Sequence, residues 1–178
     1  LWGHPPDEER PLSHMVLAVE ISGVTWLADV GFGTATLTAP LRLRADVEQQ
    51  TPHGTYRLIG GDPEWQLEMQ VGEEWKPVYA FDLAEHSFED FQAMNERVST
   101  AGTQRENLLV ARTEKGRRLS LRNARLRIHT IGGETETRVL GSVDEIREVL
   151  AGLFEINLPP GEKLDPALER ILAQETPA

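Results

Sequence analysis

The sequence contains no cysteine. Disulfides and thiolate metal sites are therefore excluded, and so is a Cys nucleophile within these residues. Long apolar runs are missing too. Stretches such as Met15–Val19 and Val149–Leu150 fall far short of the about 20 residues a helix needs to cross a bilayer. Positive charge is scarce: 18 Lys and Arg stand against 29 Asp and Glu, for a net charge of -11. Such a surface repels phosphate backbones and anionic bilayers, so neither nucleic acid nor membrane is an expected partner. The five histidines (His4, His14, His53, His86 and His129) are scattered, with no H-x-x-x-H pair, and no metal site is expected.

What is present is a globular mixture. Hydrophobic residues make up 39% of 178 residues, enough for one large or two small domains with an apolar core that needs no staples. The chain opens on Leu1 rather than Met, inside a Pro-rich charged stretch, Leu1–Pro11. That reads as the middle of a longer protein.

The first half is patterned as strands. His14–Ile21 and Val24–Val30 flank Ser22-Gly23, a hairpin turn signal. Thr55–Ile59 leads into Gly60-Gly61-Asp62-Pro63, and Trp65, Leu67, Met69 and Val71 then alternate with polar residues. Trp75–Phe81 follows closely, so these strands form a meander expected to curl into a barrel. Trp26, Trp65 and Trp75 are expected in the core. Ser87-Phe88-Glu89-Asp90 is a capping box for a helix with Phe88, Phe91, Met94 and Val98 on one face. Further strands, a helix capped at Ser142 and a last helix over Pro166–Gln174, with Asp165 as its cap, complete the chain.

The hairpin places two titratable residues together. With a two-residue turn at Ser22-Gly23, facing residues have numbers summing to about 45, so Val16 faces Asp29 and His14 faces Gly31. His14 and Asp29 become diagonal neighbours on one face. A carboxylate beside an imidazole fixes its tautomer and stabilises the imidazolium, the orienter–base half of a nucleophilic triad. A turn one residue longer would send Asp29 to the opposite face. Gly31-Phe32-Gly33 marks either a sharp bend or a place where a ligand approaches backbone.

The run Ser13-His14-Met15-Val16-Leu17-Ala18-Val19, then Ala28-Asp29-Val30-Gly31-Phe32-Gly33, then Ala39-Pro40-Leu41, resembles the arylamine N-acetyltransferase family. Tyr79-Ala80-Phe81, Asp90-Phe91 to Asn95 and Phe154-Glu155-Ile156 add looser matches, while Ala101-Gly102 departs from the family pattern after Ser99-Thr100. The resemblance implies an α+β fold in a papain- and transglutaminase-like family: an antiparallel β-barrel followed by a smaller α/β lid. Residues 1–11 would connect to an N-terminal helical domain, 12–105 would be the barrel and 106–178 the lid. It implies His14 and Asp29 as two members of a Cys-His-Asp triad whose Cys lies in that missing domain. It implies acetyl-CoA as donor, with Ser13, Gly31, Phe32 and Gly33 near the cofactor and acceptor pocket, and no metal. The acceptor would be an arylamine, hydrazine or arylhydroxylamine, the location cytoplasmic, and the chain alone inactive. A macrolactam-forming amide synthase of the same family and a non-catalytic binding module are the competing readings.

Overall fold

The computed structural model describes residues 14–101 and 106–175. In chain order these form β1 (Leu17–Ile21), β2 (Val24–Ala28), β3 (Leu41–Arg42), β4 (Gln49–Thr51), β5 (Gly54–Gly61), β6 (Glu64–Val71) and β7 (Glu74–Phe81). Then come α1 (Phe88–Ala101), β8 (Leu109–Glu114), β9 (Arg117–Arg122), β10 (Arg125–Thr130), β11 (Thr135–Val139), α2 (Val143–Gly152) and α3 (Gly161–Glu175). The class is α+β, with three sheets whose strand pairs are all antiparallel. The chain divides into two compact units, residues 1–98 and 99–178.

The first unit is built from two sheets, ordered β1-β2-β3 and β4-β5-β6-β7. In the connection between β3 and β4, Ala45 forms an isolated parallel bridge with Leu58 of β5. The inner faces of the two sheets share a core of Leu27, Leu41, Tyr56, Leu58, Leu67, Val78 and Tyr79. The meander therefore packs as two sheets around one core, and no closed hydrogen-bonded barrel is present among the described residues. The Tyr56 hydroxyl, buried with that core, donates to the Ala35 carbonyl at 3.2 Å, which satisfies it.

The β1–β2 hairpin turns on Ser22 (φ 53°) and Gly23 (φ 74°). Positive φ at both central residues marks a type I′ turn, whose twist matches that of the flanking strands. Ile21 then faces Val24 and Leu17 faces Ala28, the register expected from a two-residue turn. Strand pairing begins at Leu17 rather than at His14. One face of the hairpin is apolar yet open: Leu17, Val19 and Ile21 are 50%, 39% and 58% exposed. Trp26, Trp65 and Trp75 are half-buried; Trp65 packs against the core, whereas Trp26 and Trp75 lie outside it. Arg42 lies 5.4 Å over Trp26 and Arg57 4.3 Å over Trp75, so cations cover rings that the apolar layer does not.

In the second unit the sheet runs β11-β10-β9-β8. Leu119, Leu121 and Leu126 pack with Ile146 and Leu150 of α2 and Leu168 of α3. Ser142 caps α2 by accepting from the Glu145 N–H at 3.2 Å, and the Glu145 carboxylate reaches back to the Gly141 N–H. The box expected for α1 also forms, with Ser87 Oγ accepting from the Asp90 N–H, but Phe88 at its first position is 72% exposed rather than inward. The last helix begins at Gly161, not Pro166, which lies inside it. Asp165 is not its cap: its carboxylate takes Arg147 of α2 at 2.8 Å. Pro166 costs the helix one N–H, and Leu164 and Leu168 on either side anchor that turn in the core.

Asn tolerates the left-handed conformation better than Ser. Replacing Ser22 by Asn therefore raises stability, by roughly 0.5 kcal/mol on the scale of such turn preferences. Urea denaturation reads the change, and a fall in stability would show that the turn is not of this type.

Candidate active site

The type I′ turn sends β1 and β2 back along each other, and their free ends bring His14 and Asp29 together. His14 Nε2 lies 3.0 Å from Asp29 Oδ2. The imidazole is 24% exposed and the carboxylate 1%. The two atoms lie within ion-pair distance without forming an aligned hydrogen bond. With Nε2 committed to Asp29, Nδ1 is the nitrogen left to meet a second group.

Asp29 is buried but not abandoned. Its Oδ1 accepts the Gly31 N–H at 2.9 Å. Burial pushes the carboxyl pKa up, yet the His14 contact, the Gly31 N–H, the His14 charge and Tyr79 together outweigh it and hold the pKa below its ordinary value. The group is a fixed anion at neutral pH, beside the one ring that uses such a charge.

The remaining candidates separate. Phe32 packs edge-on against His14, with ring centroids 5.0 Å apart, and against Tyr79 at 4.8 Å. Gly31 lies beside the imidazole: a Cβ there would come 4.0 Å from His14 Cε1, ordinary contact distance. Gly33 opens a short 3-10 turn, Gly33–Ala35, at φ 62° with open space around it, so there it is the backbone conformation that requires glycine. Ser13, like residues 1–11, lies outside the described residues. Among the described residues no three His, Cys, Asp or Glu gather as a metal site, and no helix is long and apolar enough to cross a membrane.

Tyr79 entered the sequence reading only through the Tyr79-Ala80-Phe81 match and not as a site residue. It sits on β7, 6% exposed, with its ring 5.5 Å from that of His14. Burial first, and then the charge of Asp29, drive its phenol pKa far upward, so it stays protonated. No local pattern pairs a tyrosine with an aspartate fifty residues earlier; only packing of the two sheets does so.

Because the Asp29 pKa is lower folded than unfolded, its carboxylate contributes stability above the unfolded pKa, and the contribution is lost as pH falls through the folded value. Thermal melts from pH 7 downward should show a loss of stability beginning below about pH 5. Asp29→Asn lowers stability at pH 7 by about 1–3 kcal/mol, since it leaves buried donors poorly matched, and flattens part of that acid limb. An unchanged acid limb would assign it to other carboxylates.

Comparison with known proteins identifies the family. The model of a family described as N-acetyltransferase matches residues 1–163. An arylamine N-acetyltransferase from Escherichia coli is 36% identical over 157 residues, covering 86% of this chain and 56% of that protein. The structure of the arylamine N-acetyltransferase from Salmonella typhimurium superposes with a TM-score of 0.83 at 32% identity, over 95% of this chain and 64% of that one. The Mycobacterium marinum enzyme, solved in complex with CoA, gives a TM-score of 0.80 at 32% identity, over 96% and 63%. The chain thus spans less than two thirds of the length of these relatives. Over that span, with His14 and Asp29 inside the matched stretch, the chain belongs to the N-acetyltransferase family whose matched members are arylamine N-acetyltransferases.

Proposed function

We propose that this chain is part of an arylamine N-acetyltransferase, with His14 and Asp29 as two members of its Cys-His-Asp triad. The observation that carries the reading is the contact between His14 Nε2 and the buried Asp29 carboxylate, at 3.0 Å, in a chain of this family. The thiol belongs to a helical domain outside this chain. Residues 12–105 form the barrel part and 106–178 the lid, and residues 1–11 connect to the missing domain. The open apolar face of β1, Leu17, Val19 and Ile21, supports a partner surface there.

The roles follow from charge. Asp29 keeps the imidazole turned and stabilises its cationic form. His14 Nδ1 takes the proton of the thiol, and the resulting thiolate attacks the acetyl carbonyl of acetyl-CoA. The tetrahedral adduct expels the CoA thiolate, which takes up the proton from His14 and leaves as CoA-SH. The acetyl group now rests on the enzyme as a thioester. The amine of an arylamine, hydrazine or related acceptor then attacks that carbonyl, the cysteine thiolate leaves, and His14 receives the amine proton. Substrate and acceptor alternate at one site, so the kinetics are ping-pong. Gly31, Phe32 and Gly33 border that site, and no metal takes part. An acetyl-CoA-dependent reaction of this kind belongs in the cytoplasm.

The chain by itself, lacking cysteine, should form no N-acetylated product above background when given acetyl-CoA and an arylamine. Joined to a Cys-bearing helical domain of the family, it should form product, and His14→Gln in that fusion should cut turnover by on the order of 10³-fold. Product from the chain alone, or a His14→Gln fusion as active as its parent, refutes the reading.

A further inference from the structure

Charge is distributed unevenly along this chain. Residues 1–98 hold 6 of the 18 Lys and Arg and 17 of the 29 Asp and Glu, so they carry the whole net charge of -11. Residues 99–178 hold 12 Lys and Arg and 12 Asp and Glu. Within this neutral unit the strands sort the two signs. Leu119, Leu121, Leu126 and Ile128 turn toward the helices, so alternate residues turn away from them. Register places Arg122 opposite Arg125 across the Asn123-Ala124 turn, and Arg127 follows Arg125 by two, on the same outward face. All three are exposed. The two acidic residues of these strands fall on the other face. Glu136 pairs with Ile128, and Glu114 lies two beyond Arg112, the partner of Leu119.

Folding does not explain this arrangement, because like charges directly opposite on neighbouring strands repel. Other arginines of the unit have acidic partners: Arg112 has Glu155, Arg138 has Glu145 and Arg147 has Asp165. Arg122 and Arg127 have no ion pair or hydrogen bond among the described residues. A guanidinium offers five donors in a planar fork that matches phosphate oxygens. Leu109 and Val139, the strand partners on either side of the Arg122–Arg125 row, are 48% and 54% exposed. Charge edged by apolar surface suits a nucleotide, which joins phosphates to a flat base.

We propose that the outward face of this sheet, centred on Arg122, Arg125 and Arg127, receives the phosphate groups of acetyl-CoA. The choice of ligand rests on the transferase reading, and the face rests on register and charge. CoA carries about four negative charges at neutral pH on its diphosphate and 3′-phosphate. A chain with a net charge of -11 repels such a molecule at long range. A face of one positive sign offsets that repulsion and holds the end of the donor remote from its thioester. These arginines touch no reacting atom, so they set affinity for the donor rather than the chemistry of transfer.

The test is calorimetric titration of the chain at low ionic strength with CoA, 3′-dephospho-CoA and inorganic pyrophosphate. CoA should bind more tightly than either of the others. Arg122→Gln combined with Arg127→Gln should weaken CoA by on the order of 10-fold and flatten the dependence of its affinity on salt. Lys115→Gln, in the turn between β8 and β9, should change neither. The double variant should melt no lower than the parent, since it relieves repulsion between like charges. A double variant that binds CoA as tightly as the parent overturns the proposal, and so does a parent that binds no CoA. Equal affinity for CoA and inorganic pyrophosphate would reduce the face to a general anion patch and overturn it too. Binding is read here, not acetyl transfer. Unchanged CoA affinity in the double variant leaves the transferase reading standing, and a failed transferase assay leaves an arginine-dependent CoA affinity standing.

Discussion

A carboxylate can stay charged inside an apolar layer only when protein groups replace the water it has lost. Asp29 meets that condition with the Gly31 N–H on one oxygen and His14 on the other. Its charge then does two things at once. It orients the imidazole of His14, and it binds the end of β2 to the residue that leads into β1. The site and the hairpin are thus one mechanical object: a change that frees Asp29 loosens both.

That object stands on sequence features of ordinary kind. Ser22-Gly23 sets a turn that admits one register, and the register fixes which residues share a face. Leu27, between Trp26 and Ala28, drops into the core at 0% exposure and pins β2 in depth. Two residues on, Asp29 points the same way, beneath the rings of Phe32 and Tyr79, which close over His14. Water is kept from Nε2, while the His14 side chain as a whole stays 24% exposed. This asymmetry separates an orienting contact from a surface ion pair, which solvent would screen.

Local features were legible in the sequence because their causes are local. The hairpin register follows from two turn residues, and the capping boxes at Ser87 and Ser142 from side chains three positions apart. Proximity of His14 and Asp29 followed from that register. Features set by packing were not legible. The three tryptophans read as core by size, yet cations rather than apolar neighbours cover two of them. The start of α3 was hidden because Asp165 and Pro166 make a good cap on paper, whereas the structure draws Asp165 to Arg147 and extends the helix by five residues. The partition of the strands into two sheets, and the place of Tyr79 beside Asp29, depend on contacts between strands far apart in sequence, which no period or motif records.

The account turns on which ring nitrogen of His14 carries the proton. If Asp29 orients the imidazole, the neutral ring is protonated at Nε2 and offers the Nδ1 lone pair to an incoming thiol. Nitrogen-15 chemical shifts of the His14 side chain, recorded on the chain at a pH where the ring is neutral, distinguish the two tautomers directly. The account predicts an Nε2-protonated ring that becomes a mixture of tautomers in Asp29→Asn. A ring protonated at Nδ1, or one with the same tautomer ratio in both proteins, would contradict it.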